Sequence, residues 1–302
     1  MRMVRASSSK DAVTEVPKPQ FSNIGPEPQK FSVQDGMMGD VIGAAMAPLL
    51  RGGVGVFNMG YKVALAADDD KYAVLRTNGQ KVLETSDVGS FPRPVLPLEL
   101  YEYEGCPFCK KVRECFSLLD LDVLVRPTPQ NGAMWRVQAI ERGGKKMFPF
   151  LCDPNTRKEM YESDDIISYL FDTYGPGKEQ IPLGLRMGPL TTLSCGLGLI
   201  ARGGAGNKAR EVPGRQPAQP LEFWGYEGSP FVKVARETLC ELELPYMQRT
   251  CARGSPKRQE LIDRMGAFQV PFLADPNTGV CMFESKAIRE YLNKEYGTPV
   301  VV

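Results

Sequence analysis

The 302-residue sequence contains no histidine. That absence removes His-based triads, imidazole general bases and His metal sites, leaving cysteine, carboxylate, tyrosine, lysine and backbone groups for any chemistry. Neither sign of charge is in excess: 37 Lys and Arg face 36 Asp and Glu. Nothing electrostatic therefore points to nucleic acid or to an acidic partner. Long apolar runs are also missing. Asp40 to Gly55 and Thr191 to Gly206 are apolar, small-residue stretches, and both fall short of the ~20 residues that span a bilayer. The cysteines, at 106, 109, 115, 152, 195, 240, 251 and 281, are too dispersed for a secreted disulfide framework. Only one close pair exists, so a zinc site lacks its second ligand pair and no metal is expected. A reducing compartment is the better reading.

What is present centres on Tyr101 to Arg113, Y-E-Y-E-G-C-P-F-C-K-K-V-R. The C-x-x-C closes a strand-like run (Leu98, Leu100, Tyr101, Tyr103) and opens a helix-like one (Val112, Phe116, Leu119). A thiol on the first turn of a helix faces unpaired N–H groups and the positive end of the macrodipole, both of which favour thiolate. Cys106 is therefore the better nucleophile. Pro107 suits a first helical position, and Cys109 lies on the same side of the turn, placed to resolve a mixed disulfide.

The stretch recurs in altered form. Leu221 to Arg236 reads L-E-F-W-G-Y-E-G-S-P-F-V-K-V-A-R, with Ser229 in place of Cys106 and Val232 in place of Cys109. Downstream, F-P-F-L-C-D-P-N-T from Phe148 is answered by V-P-F-L-A-D-P-N-T from Val270, Tyr161-Glu162-Ser163 by Phe283-Glu284-Ser285, and Tyr174-Gly175 by Tyr296-Gly297. Three landmarks in the same order at consistent spacing make this an internal duplication.

Taken in order, residues 1–35 read as an unstructured or residual transit segment: Arg2, Arg5 and Lys10 occur there without an acid, followed by Pro-, Gln- and Ser-rich sequence. Residues 36–95 hold the first apolar helix, either buried against its domain or lying on a membrane surface. They also hold a hairpin in which Tyr61 to Ala66 and Tyr72 to Arg76 are the strands and Asn78-Gly79 is a turn signal. The repeat units are 96–177 and 219–302, joined by a Gly/Pro-rich linker, 178–218, carrying the second apolar helix. Each unit alternates strands and helices, which predicts an α/β fold with the site at strand C-termini. Its last helix carries an apolar stripe, Ile166, Tyr169, Leu170 and Tyr174 or Ile288, Tyr291, Leu292 and Tyr296.

On these residues each copy resembles the thioredoxin-fold unit of glutaredoxins and of the N-terminal domain of glutathione transferases. C-P-F-C-K-K-V-R is similar to the motif of membrane-associated prostaglandin E synthase type 2 and to the C-P-Y-C of dithiol glutaredoxins. The tandem arrangement resembles that of a group of plastid and algal proteins. The resemblance implies two tandem thioredoxin-like domains in a plastid protein that binds glutathione; the chain departs from a typical transferase in that no all-helical C-terminal domain is expected after either unit. It implies that Cys106 and Ser229 face the glutathione sulfur. Phe148 and Val270, each before a proline in cis linkage (Pro149, Pro271), would pair with the cysteinyl backbone. Glu162-Ser163 and Glu284-Ser285 would hold the γ-glutamyl end.

Each feature also has a plainer reading. Ser163 and Ser285 can be helix N-caps. Lys110, Lys111 and Arg113 can lower the Cys106 pKa, bind the glycine carboxylate or be solvated helix surface, while Cys152 and Cys281 read as core residues. The function implied is a glutathione-dependent thiol-disulfide oxidoreductase acting through Cys106 and Cys109 on disulfide or glutathionylated proteins, with a glutathione-binding or degenerate second unit. The alternatives are a non-enzymatic scaffold in a protein complex, a glutathione-assisted isomerase or transferase, and a glutaredoxin-style iron–sulfur site at Cys106.

Overall fold

The computed structural model of the chain describes residues 21–29, 32–212 and 214–297. The basic leader with Arg2, Arg5 and Lys10 lies outside them. The described chain opens with a short strand, β1 (Ser22–Asn23), then helix α1 (Met38–Leu50) and three strands, β2 (Lys62–Ala67), β3 (Arg76–Thr77) and β4 (Gln80–Thr85). The first repeat follows as β5 (Leu98–Glu102), α2 (Pro107–Leu119), β6 (Val123–Pro127), α3 (Trp135–Gly143), β7 (Phe150–Asp153), β8 (Lys158–Met160) and α4 (Ser163–Tyr174). A one-turn helix α5 (Leu183–Arg186) and α6 (Pro189–Ile200) lead into the second repeat. That repeat is β9 (Leu221–Gly225), α7 (Pro230–Glu241), β10 (Tyr246–Thr250), α8 (Lys257–Met265), β11 (Phe272–Asp275), β12 (Val280–Phe283) and α9 (Ser285–Tyr296). No helix among the described residues is long and apolar enough to cross a membrane.

Each unit has the mixed four-stranded sheet that the repeat predicts, and the two sheets are fused. The nine-stranded order is β1-β12-β11-β9-β10-β6-β5-β7-β8. The join is the antiparallel pair β6–β10, with Leu124 opposite Met247, so an approximate two-fold axis passes between the units and two edge strands cover one another. One apolar core runs across the join, from Leu100, Phe116 and Leu170 to Phe223, Leu239 and Leu292. The D-P-N-T landmark is structural. Tyr169 and Tyr174 both donate to Asp153 Oδ2 at 2.6 Å, and Tyr291 and Tyr296 donate to Asp275 Oδ2 at 2.6 and 2.5 Å. This ties each last helix to its β-turn and explains why the tyrosines and aspartates recur together.

Three expectations change. Residues up to 35 are not wholly unstructured, because β1 pairs in parallel with β12 and Phe21 packs beside Trp224 and Phe283. The reason is the otherwise open outer edge of β12. The insertion is a three-stranded sheet in which β2 pairs with β4 rather than with Tyr72–Arg76. The Asn78-Gly79 turn, both residues at positive φ, joins β3 to β4, and Tyr72 leaves to stack edge-on against Phe268 at 5.5 Å. The two apolar helices pack crosswise. Helix α1 lies on α7 of the other unit, α6 lies on α2, and they touch one another. A side chain at Gly198 would meet the Ala47 backbone at 2.7 Å, so this crossing depends on small residues. Ile42, Leu49, Leu193 and Ile200 stay exposed on the outside.

Candidate functional site

At the start of α2 the backbone of Cys106 is extended (φ −92°, ψ 121°), Pro107 fills the first helical position, and Cys106 Sγ accepts the Cys109 N–H at 3.3 Å. The Cys106 thiol donates to the Phe148 carbonyl at 3.8 Å. Burial works to raise the Cys106 pKa, but the hydrogen bonds from the Cys109 thiol and N–H outweigh it and leave the value below that of an ordinary thiol. Cys109 shifts oppositely: it is wholly buried, and its proton is held on Cys106, so its pKa lies well above the usual value. All eight cysteines are free.

The Phe148–Pro149 and Val270–Pro271 bonds are both cis. Beside the first, Phe108, Met147, Phe148, Pro149, Glu162 and Ser163 enclose a cleft of about 220 Å³. Glu162 sits at φ 62°, ψ 110° and Glu284 at φ 74°, ψ 123°, a sparsely populated region for a non-glycine residue, and the strain recurs in both copies. Each glutamate is the N-cap of its helix without a side-chain cap bond, and each serine is already the first helical residue. The serines are therefore not N-caps; they stand where a helix N-terminus offers free N–H groups to an anion.

The basic stripe after Cys106 does something else. Lys110 is 2% exposed, and its ammonium meets Glu227 at 2.8 Å and Glu114 at 3.4 Å. Arg113 pairs with Glu102, Glu227 and Glu104, and Lys111 with Asp164. Lys110 as a ligand for glutathione is thus corrected: it belongs to the seam between the units. The second copy mirrors the first, with Lys233 meeting Glu104 at 2.6 Å and Arg236 meeting both Glu104 and Glu227 at 2.5 Å. Flanking these, Arg51 chelates Glu114 and Arg202 chelates Glu237, each at 2.7 Å. Glu104 and Glu227 are wholly buried. Burial alone would raise their pKa values, but Arg113 and Arg236 beside them hold both below the usual carboxylate range.

The profile described as glutathione S-transferase, N-terminal domain matches residues 100–179 and again 223–299, together about half of the chain. The chain belongs to the glutathione S-transferase N-terminal domain family. Among solved structures, the Bombyx mori glutathione transferase BmGSTD1 is similar at 24% identity over 30% of this chain and 42% of its own, with a TM-score of 0.27, too low to carry weight. Among curated proteins nothing matches.

The second transferase-type unit keeps the frame, and its glutamate end is covered. Ser229 repeats the backbone of Cys106 (φ −94°, ψ 119°), and its Oγ accepts the Val232 N–H at 3.4 Å. Ser285 and Glu284 are both buried. Glu284 Oε1 accepts the Gln29 N–H at 3.0 Å, and Gln269 donates to the Gln29 carbonyl at 3.1 Å. The chain's own N-terminal segment thus lies where the γ-glutamyl end of glutathione was expected. Sequence reasoning missed Gln29, and with it the seam carboxylates Glu104 and Glu227. Their recurrence two residues before Cys106 and Ser229 was the available signal. Cys152 and Cys281 lie in the core, where burial raises their pKa values. Among the described residues no cluster of three or more acidic or thiol ligands could hold a metal.

Proposed function

We propose that the first unit is a glutathione-dependent thiol-disulfide oxidoreductase. The Cys106 thiolate attacks one sulfur of a disulfide or glutathionylated protein; a new S–S bond forms and the other sulfur leaves as thiolate. Either free glutathione then attacks the mixed disulfide, or Cys109 does so and leaves a Cys106–Cys109 bond that glutathione reduces. In both routes a protein disulfide takes two electrons from two glutathione thiols, which leave joined as glutathione disulfide; a glutathionylated protein needs one free glutathione thiol, because its other half is the glutathione released from the substrate. The observation that carries this reading is Cys106 Sγ at the N-terminus of α2, accepting the Cys109 N–H beside the Phe148–Pro149 cleft. In the same reading Ser163 and the α4 N–H groups receive the γ-glutamyl carboxylate, and Glu162 faces its ammonium. The plastid setting is proposed with it.

The test is the pH dependence of Cys106 alkylation, with and without glutathione, using Cys106→Ser to assign the signal. An apparent pKa below the ~8.5 of a free thiol and protection by glutathione are expected. A value at or above it without protection would leave the scaffold reading, in which the fused sheet serves a protein complex.

A further inference from the structure

The sheet β2–β4, encoded ahead of the first unit, is fastened to the second. Its fastening is Glu84, whose side chain is fully buried on β4. Glu84 accepts from Tyr61 Oη at 2.5 Å, Tyr72 Oη at 2.9 Å and Arg253 Nε at 2.5 Å, with Arg258 Nη1 at 3.5 Å. The Arg258 guanidinium lies against the rings of Phe268, Tyr72 and Tyr226 at 4.6, 5.4 and 5.7 Å. These contacts fix the insertion as a wall.

Between this wall and the start of α7 is a cavity of about 510 Å³, within the range that holds a small organic ligand and more than twice the volume of the cleft at Phe148–Pro149. Its apolar lining is Tyr72, Val74, Phe231, Phe268 and Val270, and Ser229 lies on its floor. Its polar lining includes Arg253 and Arg258. Glu84 serves both guanidiniums, so Arg253 and Arg258 together carry one positive charge that it does not neutralise; the lining also holds Arg76, paired with Asp68, and the carboxylate of Asp70. The protein engages Arg253 through Nε and Arg258 through Nε and Nη1, which leaves Nη2 of each for a ligand. Glutathione is a poor fit, because Gln29 occupies the Glu284 carboxylate that its ammonium would need.

We propose that this cavity binds a compact organic anion, a carboxylate or sulfonate on an aromatic or branched apolar body. The anion pairs with Arg253 and Arg258, and the body packs between Phe231, Val74 and Phe268. The site is separate from the chemistry proposed for Cys106 and does not depend on it.

Binding of anilinonaphthalene sulfonate to the full chain, followed by fluorescence, tests this. Phenylbutyrate should displace the probe at a concentration at least tenfold lower than phenylbutanol, and glutathione should not displace it. Ala73→Trp, which fills the cavity, should weaken probe binding at least tenfold. Arg253→Gln should weaken it about tenfold, and because it takes one cation from the buried Glu84 its unfolding midpoint should fall as well; Arg253→Lys, which keeps a cation there but loses the Nη donors, should weaken binding with a smaller fall. Leu193→Glu, on the exposed apolar face of α6, should leave binding intact. The proposal is overturned if Leu193→Glu abolishes the signal while Arg253→Gln keeps it, if the acid and the alcohol compete equally, or if glutathione is the best competitor.

Discussion

The two repeat units share a backbone and differ in what stands at each end of the site. At one end the first unit has Cys106 and Cys109, and the second has Ser229 and Val232 in the same cap geometry. At the other end Glu162 and Ser163 face an open cleft, whereas Glu284 is bonded to Gln29. The positions the copies keep in common are those of the frame: the cis prolines, the strained glutamates and the tyrosine-aspartate nodes. Duplication followed by divergence has changed the chemistry at the helix start while preserving the geometry that presents it.

The largest expected effect breaks what the copies share. Glu227→Ala leaves Lys110, Arg113 and Arg236 buried without their common carboxylate, and Glu104→Ala does the same from the other side. Each should cost about 3–5 kcal/mol in denaturant unfolding, the usual result of removing one partner from a buried ion pair. Nearly equal losses are expected from the two, because the seam is two-fold; a small loss from either would mean that the units do not depend on it.

The same carboxylates set an acid limit. Their folded pKa values lie below the unfolded one. Their contribution is therefore complete above the unfolded value of ~4.3 and is lost as pH falls through the folded values. Unfolding measured between neutral pH and pH ~2 should show a steeper acid loss for the wild type than for Glu104→Gln.

Ser163→Ala and Ser285→Ala sharpen the comparison. The first should weaken protection of Cys106 by glutathione about tenfold, or ~1.4 kcal/mol. The second should leave it unchanged. Equal effects would mean that protection of Cys106 does not depend on the start of α4. A smaller effect is expected from Cys106→Ser/Ser229→Cys. The new thiol would have the Val232 N–H but no neighbouring thiol, so its alkylation curve should fall at higher pH than that of Cys106. Lys62→Ala should matter least, about 0–1 kcal/mol in thermal unfolding, because both it and its partner Asp87 are exposed.

Much of the frame was legible in the sequence. The duplication, the strand-to-helix junction at Cys106, the prolines and the acid-serine pairs follow from local spacing and turn chemistry, which act over a few residues. What was not legible depends on pairs far apart in the chain. Lys110 reads as a solvated or thiol-activating residue until β6 and β10 pair and bring Glu227 to it from 117 residues away. The insertion reads as a hairpin beside the first unit until Glu84 is seen buried against Arg253 and Arg258. Polar residues look exposed in a sequence, and only the fold shows that two copies bury theirs against each other.

The crossed seating of α1 and α6 bears on how the chain is made. As the ribosome delivers it, α1 and the whole first unit emerge before α7 and β10 exist. For roughly ten seconds, at 5–20 residues per second, the β6 edge and the inner face of α1 have nothing to settle on. The first unit therefore reaches its finished form only when the second arrives, and the nascent chain in that interval is a natural client for a chaperone that holds exposed strand edges.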